Sequence, residues 1–391
     1  MKKNKNKQKP LDNIQDITTS IILWSFFSQM IFTLLKRILI KAPYGTMISA
    51  ILAFTYLLIL AVKYLIIKNR IINGKFIIAC IVVAILYLLS FLNGPPYEAI
   101  SLYFPWTLYC ITLSFLAYSI TDYDMLYEKF VKNGILIALL SGLIIFADRS
   151  TFAYYMHYSY ILSLILFFHT AEFIKYKKNK YLILLIIELF LIIIYGFWGS
   201  ILCFAFFLFL FILIGNNKKH VKAIFSLIIL LISANIENIL NLIQKTANHF
   251  NIKSRTLSLL AENATHTSGR DVIANDAISL IGNHPAIGVG IAGEFKYMDD
   301  YPHNIILDIY LHWGVILGTI ILVYLSYIII DALIKSRDTG RILLIIFICY
   351  GLVMLFFSGT YISCDGFFIM LGFVFRIRRD NKTNLAKIRG K

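Results

Sequence analysis

The chain has 391 residues, 59% of them hydrophobic and only 15% charged, with a formal net charge of +16 and a mean hydropathy of +0.77. Soluble globular domains carry about 25% charged residues, so this composition excludes a soluble enzyme, a disordered chain and a nucleic-acid binder. The positive charge fits a polytopic membrane protein, in which Lys and Arg crowd the cytoplasmic loops.

A helix needs about 20 mostly apolar residues to cross the hydrocarbon. On that criterion the sequence predicts twelve spans, at 17–35, 44–67, 76–93, 99–120, 134–148, 151–174, 179–196, 198–215, 222–240, 303–333, 342–358 and 359–375. The expected fold class is therefore an all-α polytopic membrane protein. Basic tails at 1–16 and 376–391 flank a single transmembrane domain at 17–375. The first apolar run holds Trp24 and Gln29 and lacks a small-residue cleavage site, so it reads as a retained span and not as a signal peptide. Between the seventh and eighth spans, the polar break Tyr195-Gly196-Phe197-Trp198-Gly199-Ser200 suits a tight turn.

With both termini placed in the cytoplasm, inside segments hold 27 of the 37 Lys and Arg residues and outside segments hold nine. That asymmetry predicts this orientation. Lys36, Arg37 and Lys41 are the outside exception, assigned either to snorkelling or to an anionic ligand. The five cysteines, Cys80, Cys110, Cys203, Cys349 and Cys364, all fall in apolar runs with no CxxC pair. They read as buried thiols, without a disulfide framework or a metal site.

One connection is long. Residues 241–302, about 62 of them, form an outer loop between spans nine and ten, and loops of that length are usually functional or disordered. Ser268 and Asp271 make a pattern close to a capping box. Ile273, Ala277, Leu280 and Ile281 form an apolar stripe at helical spacing, and Gly282, Asn283 and Pro285 end it. The loop is thus expected to hold an amphipathic helix over 269–281, with Arg270 on the inward stripe. Gly288-Val289-Gly290-Ile291-Ala292-Gly293 then matches GxGxxG, but the dinucleotide reading needs a strand and a βαβ unit that the sequence lacks. A glycine hinge, or close backbone approach to a ligand, is the better reading.

Tyr301-Pro302-His303-Asn304 stands where the loop meets the tenth span. Proline is favoured in the first turn of a helix, which would put His303 at an electropositive N-terminus suited to anions. The same field would keep the imidazole neutral. His303 then reads as a general base, as a hydrogen-bond donor to phosphate, or as a solvated interfacial histidine. Asn304, Asp308 and His312 follow on one helical face, either as packing groups or, with Tyr301, as the lining of a substrate cavity. Glu188, midway along the seventh span, is protonated, paired across the bundle, or part of an ion path. Arg149, Arg255 and Arg270 carry the planar fork that grips diphosphate, or else contact headgroups. His249, His266 and His284 show no metal-ligand spacing, and no metal or other cofactor is expected.

Four stretches in order carry a family resemblance: Thr267-Ser268-Gly269-Arg270-Asp271, the P-x-x-G-x-G turn from Pro285 to Gly290, Tyr301-Pro302-His303-Asn304, and the G-[IV]-x-x-G from Gly314 to Gly318. Together they resemble the signature of the O-antigen ligase/polymerase superfamily over about 50 residues. The resemblance implies a GT-C-like bundle in a bacterial cytoplasmic membrane, multi-pass with both termini inside. It implies a membrane glycosyltransferase acting on the outer face without a metal or nucleotide sugar. Its donor would be a glycan carried on undecaprenyl diphosphate.

By the match, His303 would be the catalytic base and Arg270 a diphosphate contact, with Arg255 and Arg149 as further candidates. Implied partners are the lipid-linked glycans, membrane lipids, a chain-length regulator and a flippase, but no nucleic acid. A polysaccharide polymerase that joins repeat units of O-antigen or capsule is the favoured activity. The alternatives are an O-antigen ligase acting on lipid A core and a lipid-glycan flippase. One departure stands out: the family's Arg in an SGSRG-type turn has no counterpart in Gly196-Phe197-Trp198-Gly199-Ser200. Arg149 or Lys36 and Arg37 would have to replace it.

Overall fold

The computed structural model describes residues 14–28, 74–147, 156–195, 198–214, 245 and 269–389. Helices and turns make up these segments, with no strand among the described residues. Helix α1 covers residues 14–28. It is followed by α2 (Gly74–Leu92), α3 (Tyr97–Ser119), α4 (Tyr123–Ala147), α5 (Met156–Tyr176), α6 (Asn179–Tyr195) and α7 (Trp198–Ile214). After the long connection come α8 (Arg270–Asn283), α9 (Ile305–Lys335), α10 (Asp338–Phe347) and α11 (Asp365–Arg389).

Among the described residues, four helical stretches are long and apolar enough to cross a membrane: Gly74–Leu92, Tyr97–Ser119, Ile305–Lys335 and Asp338–Phe356. Their outward faces agree. Helix α2 exposes Ile78, Ile81, Leu88 and Leu92, and α9 exposes Ile316, Ile320, Val323 and Ile334. Apolar surface on this scale is stable only against lipid. The chain is a helical membrane protein.

The expected spans at 76–93, 99–120, 179–196 and 198–215 coincide closely with α2, α3, α6 and α7. The spans expected at 44–67 and 222–240, and most of the outer loop, lie outside the described residues. One expectation needs correcting, and one segment gains detail. The connection expected at 121–133 is the start of α4, whose acidic Asp124 suits a helix N-terminus and whose Glu128 pairs with Lys132 at 3.2 Å one turn on. The basic tail at 376–391 is helical to Arg389. Arg376 pairs with Asp380 on the same helix at 2.9 Å, and Arg378 reaches Asp331 of α9 at 2.6 Å.

The chain divides into two compact units. One comprises Leu23–Ala61 and Met125–His266, thus most of α4 with α5, α6 and α7. Here Phe130 stacks on Phe168 at 4.6 Å, and Phe167 on Phe207 at 4.7 Å. Glu188 of α6 lies 2.6 Å from Nδ1 of His169 on α5, and both are fully buried. Nε2 of His169 donates to the Val131 carbonyl of α4 at 3.1 Å, since a carbonyl only accepts. Of the three readings open for Glu188, pairing across the bundle is therefore the one observed.

The other unit comprises Met1–Ile22, Val62–Asp124 and Thr267–Lys391. Helix α11 lies along α3, and Gly372 sits against the Ser114 carbonyl where no side chain would fit. This unit carries the motifs of the family resemblance.

Candidate functional site

Helix α9 is broken at Gly314, whose φ of 71° and ψ of 175° are not helical. The cause is an exchange of backbone partners. In an unbroken helix the Val315 N–H would donate to the Leu311 carbonyl four residues back. Here Val315 N donates to Pro285 O at 2.8 Å, and Leu311 O accepts from Val289 N at 2.7 Å. The turn from Pro285 to Val289 has thus inserted its own peptide groups into the α9 ladder, a recognised source of sharp kinks. Two glycines permit the approach. A Cβ on Gly288 would overlap the Leu311 carbonyl and come within 2.7 Å of Gly314 N, and a Cβ on Gly314 would lie 2.6 Å from the Ala286 carbonyl. The P-x-x-G-x-G and G-[IV]-x-x-G stretches are therefore two halves of one backbone junction. The GxGxxG match reads as a glycine hinge or a close approach to a ligand; what is observed is close approach of Gly288 to the backbone of α9.

Helix α8 packs against this junction through Ala277 and Leu280, which cluster with Val289 and Leu311. The inward stripe expected from Ile273 to Ile281 is borne out. The capping expectation is not: the N-cap is Gly269, in the left-handed region at φ 80° and with no side-chain cap. Helix α8 therefore opens directly at Arg270, whose Nη1 donates to the Phe357 carbonyl at 2.6 Å. The guanidinium points inward, as the stripe predicts.

His303 is placed differently from expectation. Helix α9 begins at Ile305, not at Pro302. Asn304 is its N-cap, and Oδ1 accepts from the amides of Ile306 at 2.9 Å and Leu307 at 3.4 Å. Asparagine at an N-cap satisfies the very amides that sequence reasoning left for an anion. Asn304 is thus a capping residue. His303 precedes the helix, at a φ of 53°. Its ring lies 4.4 Å from that of Tyr301, and Nε2 is 3.5 Å from Oδ2 of Asp300. Nδ1 is buried without a hydrogen-bond partner. Burial pushes the His303 pKa down from its usual 6.5; the Arg270 charge pushes the same way, and Asp300 opposes both. The direction is the one expected, but it comes from burial and Arg270 and not from a helix terminus. The fold brings Arg270 and His303 into one electrostatic environment, although 32 positions separate them in sequence.

Beneath lies a buried polar network. Trp313 Nε1 donates to the Tyr361 hydroxyl at 2.9 Å, and that hydroxyl lies 2.9 Å from Nδ1 of His312. Nε2 of His312 is 3.0 Å from Oε2 of Glu294, and both side chains are fully buried. Asp308 accepts from the Tyr361 amide at 3.2 Å through Oδ2. One candidate ligand atom each from Glu294, Asp308 and His312 falls within 4.8 Å of the others. Sequence spacing suggested no such cluster, and here the reading is corrected. Asp308 and His312 do share the predicted face. Glu294, which closes the cluster, was overlooked, although it is the one acidic residue between Pro285 and Met298.

Arg149 and Arg255 lie outside the described residues, as do Lys36, Arg37, Lys41, His249 and His266. His284 is the C-cap of α8, its ring 5.6 Å from that of Tyr297. No protein-family model matches the chain, and neither a curated protein nor a solved structure does.

Proposed function

We propose that the chain is a polysaccharide polymerase that joins oligosaccharide repeat units carried on undecaprenyl diphosphate. It would work at the outer face of a bacterial cytoplasmic membrane, in a bundle of about twelve spans with both termini inside. In this reading Arg270 holds the donor diphosphate as its negative charge grows, and His303 takes the proton of the acceptor hydroxyl. The C–O bond to the leaving diphosphate breaks as the new glycosidic C–O bond forms. One observation carries the reading: the guanidinium of Arg270, the last residue of its SGR motif, points inward onto the Phe357 carbonyl, and burial together with the Arg270 charge pushes down the pKa of His303, at the centre of its P-H-N motif. A lowered pKa favours the imidazole as a proton acceptor, and a guanidinium is an anion-binding group; glycosyl transfer from a lipid diphosphate calls on both. Ligase chemistry would use the same two residues.

The deciding experiment is gel analysis of glycans from a strain lacking the chain. A single-repeat band supports the polymerase. Long chains that remain unattached would replace it with the ligase, and failure of export would replace it with the flippase.

A further inference from the structure

We propose that Glu294, Asp308 and His312 form a binding site for one divalent first-row transition ion, of the Zn²⁺ or Mn²⁺ class. The proposal stands on the geometry of the cluster and does not depend on the glycosyl-transfer reading. Three potential ligand atoms lie within 4.8 Å of one another, and all three residues are buried. Two carboxylate oxygens in this group, Oε1 of Glu294 and Oδ1 of Asp308, have no hydrogen-bond partner. Glu294 bonds the His312 imidazole, Asp308 lies next to it against Thr360 and the Tyr361 amide, and two carboxylate oxygens keep lone pairs free, an arrangement that a cation would complete.

The donor set indicates which cation. Two carboxylates alone suit Mg²⁺ or Ca²⁺, but imidazole suits the borderline transition ions. Three protein ligands with one position left for water is the usual form of an open tetrahedral site. Ion-to-ligand distances of about 2.0–2.2 Å put ligand atoms roughly 3.5 Å apart; the Glu294–His312 pair at 3.0 Å is already that close, so binding would need only small side-chain shifts.

The surroundings resemble those of a metal-bound histidine. Such a residue almost always passes its other ring N–H to a fixed acceptor, which sets tautomer and orientation. Here Nδ1 of His312 faces the Tyr361 hydroxyl, itself pinned by Trp313 Nε1. The Tyr361 amide holds Asp308 in turn. The ligands also bracket a useful stretch of chain. Glu294 lies in the 3₁₀ turn Gly293–Lys296, and Asp308 and His312 lie in α9. An ion held by all three would close the excursion 295–307, which carries Tyr301, His303 and Asn304.

The test uses the full-length chain in lipid nanodiscs, stripped with chelator and titrated with Mn²⁺ and Zn²⁺. Expected is one ion bound per chain. Pulsed EPR of the Mn²⁺ form should show a directly coordinated ¹⁴N that disappears in His312→Gln. Asp308→Asn and Glu294→Gln should weaken binding by more than about 100-fold, and Tyr361→Phe, which keeps the ring and the packing, by roughly 10- to 100-fold. His284→Ala, a histidine outside the cluster, should bind as the unaltered chain does. Failure of the unaltered chain to bind either ion at about millimolar concentration would overturn the proposal. So would binding that survives both Asp308→Asn and His312→Gln, or a bound Mn²⁺ without ¹⁴N coupling.

Discussion

The junction between the 285–289 turn and the kink of α9 makes a quantitative prediction. Gly288→Ala places a methyl where the Leu311 carbonyl stands, at a residue whose φ is +75°. The left-handed conformation costs an alanine about 1–2 kcal/mol, forced overlap with fixed backbone about 1–3, and loss of two buried backbone hydrogen bonds about 0.5–1.5 each, roughly 3–8 kcal/mol together. Gly314→Ala breaks the same contact from the other side, at φ +71°, and should cost a similar amount. Gly269→Ala is the control. It shares the positive φ, at +80°, but nothing lies within 4 Å of its Cβ position, so only the conformational cost of about 1–2 kcal/mol applies.

Thermal unfolding of the three variants in one detergent reads the difference. Gly288→Ala and Gly314→Ala should lower the apparent Tm by roughly 4–10 °C, and Gly269→Ala by about 1–2 °C. The double variant Gly288→Ala/Gly314→Ala should cost clearly less than the two single costs added, because both remove one interaction. A Gly288→Ala midpoint no lower than that of Gly269→Ala would refute the close-approach argument and with it the backbone exchange.

Four further outcomes are expected. His303→Ala should reach the membrane at normal level and turn over about 10²–10⁴-fold more slowly; equal glycan chain length at equal protein level would remove His303 from the mechanism. Arg270→Ala and Arg270→Lys should both lose several kcal/mol of transition-state stabilisation, since Lys lacks the bidentate fork, and full-length polymer from Arg270→Ala would contradict this. The acid limb of the pH–rate profile should fall below the ordinary histidine value of 6.5, because burial and Arg270 favour the neutral ring. Asp300 favours the proton, so Asp300→Asn should move that limb to still lower pH, and a move upward would reverse the assignment. A single cysteine introduced at Ser258 should react with an impermeant thiol reagent in intact cells; labelling only after lysis of the cytoplasmic membrane would invert the proposed orientation.

Local signals were read from sequence more faithfully than long-range ones. The apolar periodicity of α8 was legible because packing one stripe inward leaves a pattern at the 3.6-residue period. Arg270 could be aimed correctly for the same reason. The end of α9 was misjudged because two local preferences compete at Pro302-His303-Asn304. Proline is favoured at a helix's first position and asparagine at its cap, and the asparagine prevailed by bonding two amides. The kink at Gly314 had a visible marker in the glycine itself, but its cause lies 29 residues upstream at Pro285. Glu294 was missed for a related reason. Its partner His312 is on α9, so no spacing within its own segment could reveal it. At the end of the chain, seven Lys and Arg in 376–391 say nothing of secondary structure, and the acidic partners on α9 and α11 that let a helix continue there are visible only in the fold.

The conformation of His303 bears on what the site is for. A left-handed φ costs an L-residue with a Cβ about 1–2 kcal/mol, and glycine, freely available to this fold at 288, 290 and 314, would avoid it. The strain persists because the neighbours over-determine it: Pro302 is buried with a fixed φ, and Asn304 is committed to the α9 cap. Its consequence is to turn the imidazole off the helix, where Tyr301 and Asp300 flank it and Nδ1 stays unpaired. A histidine that served packing alone would be expected to satisfy both ring nitrogens, as His169 does. The unsatisfied nitrogen on the strained residue therefore supports a role toward a group that arrives from outside the chain.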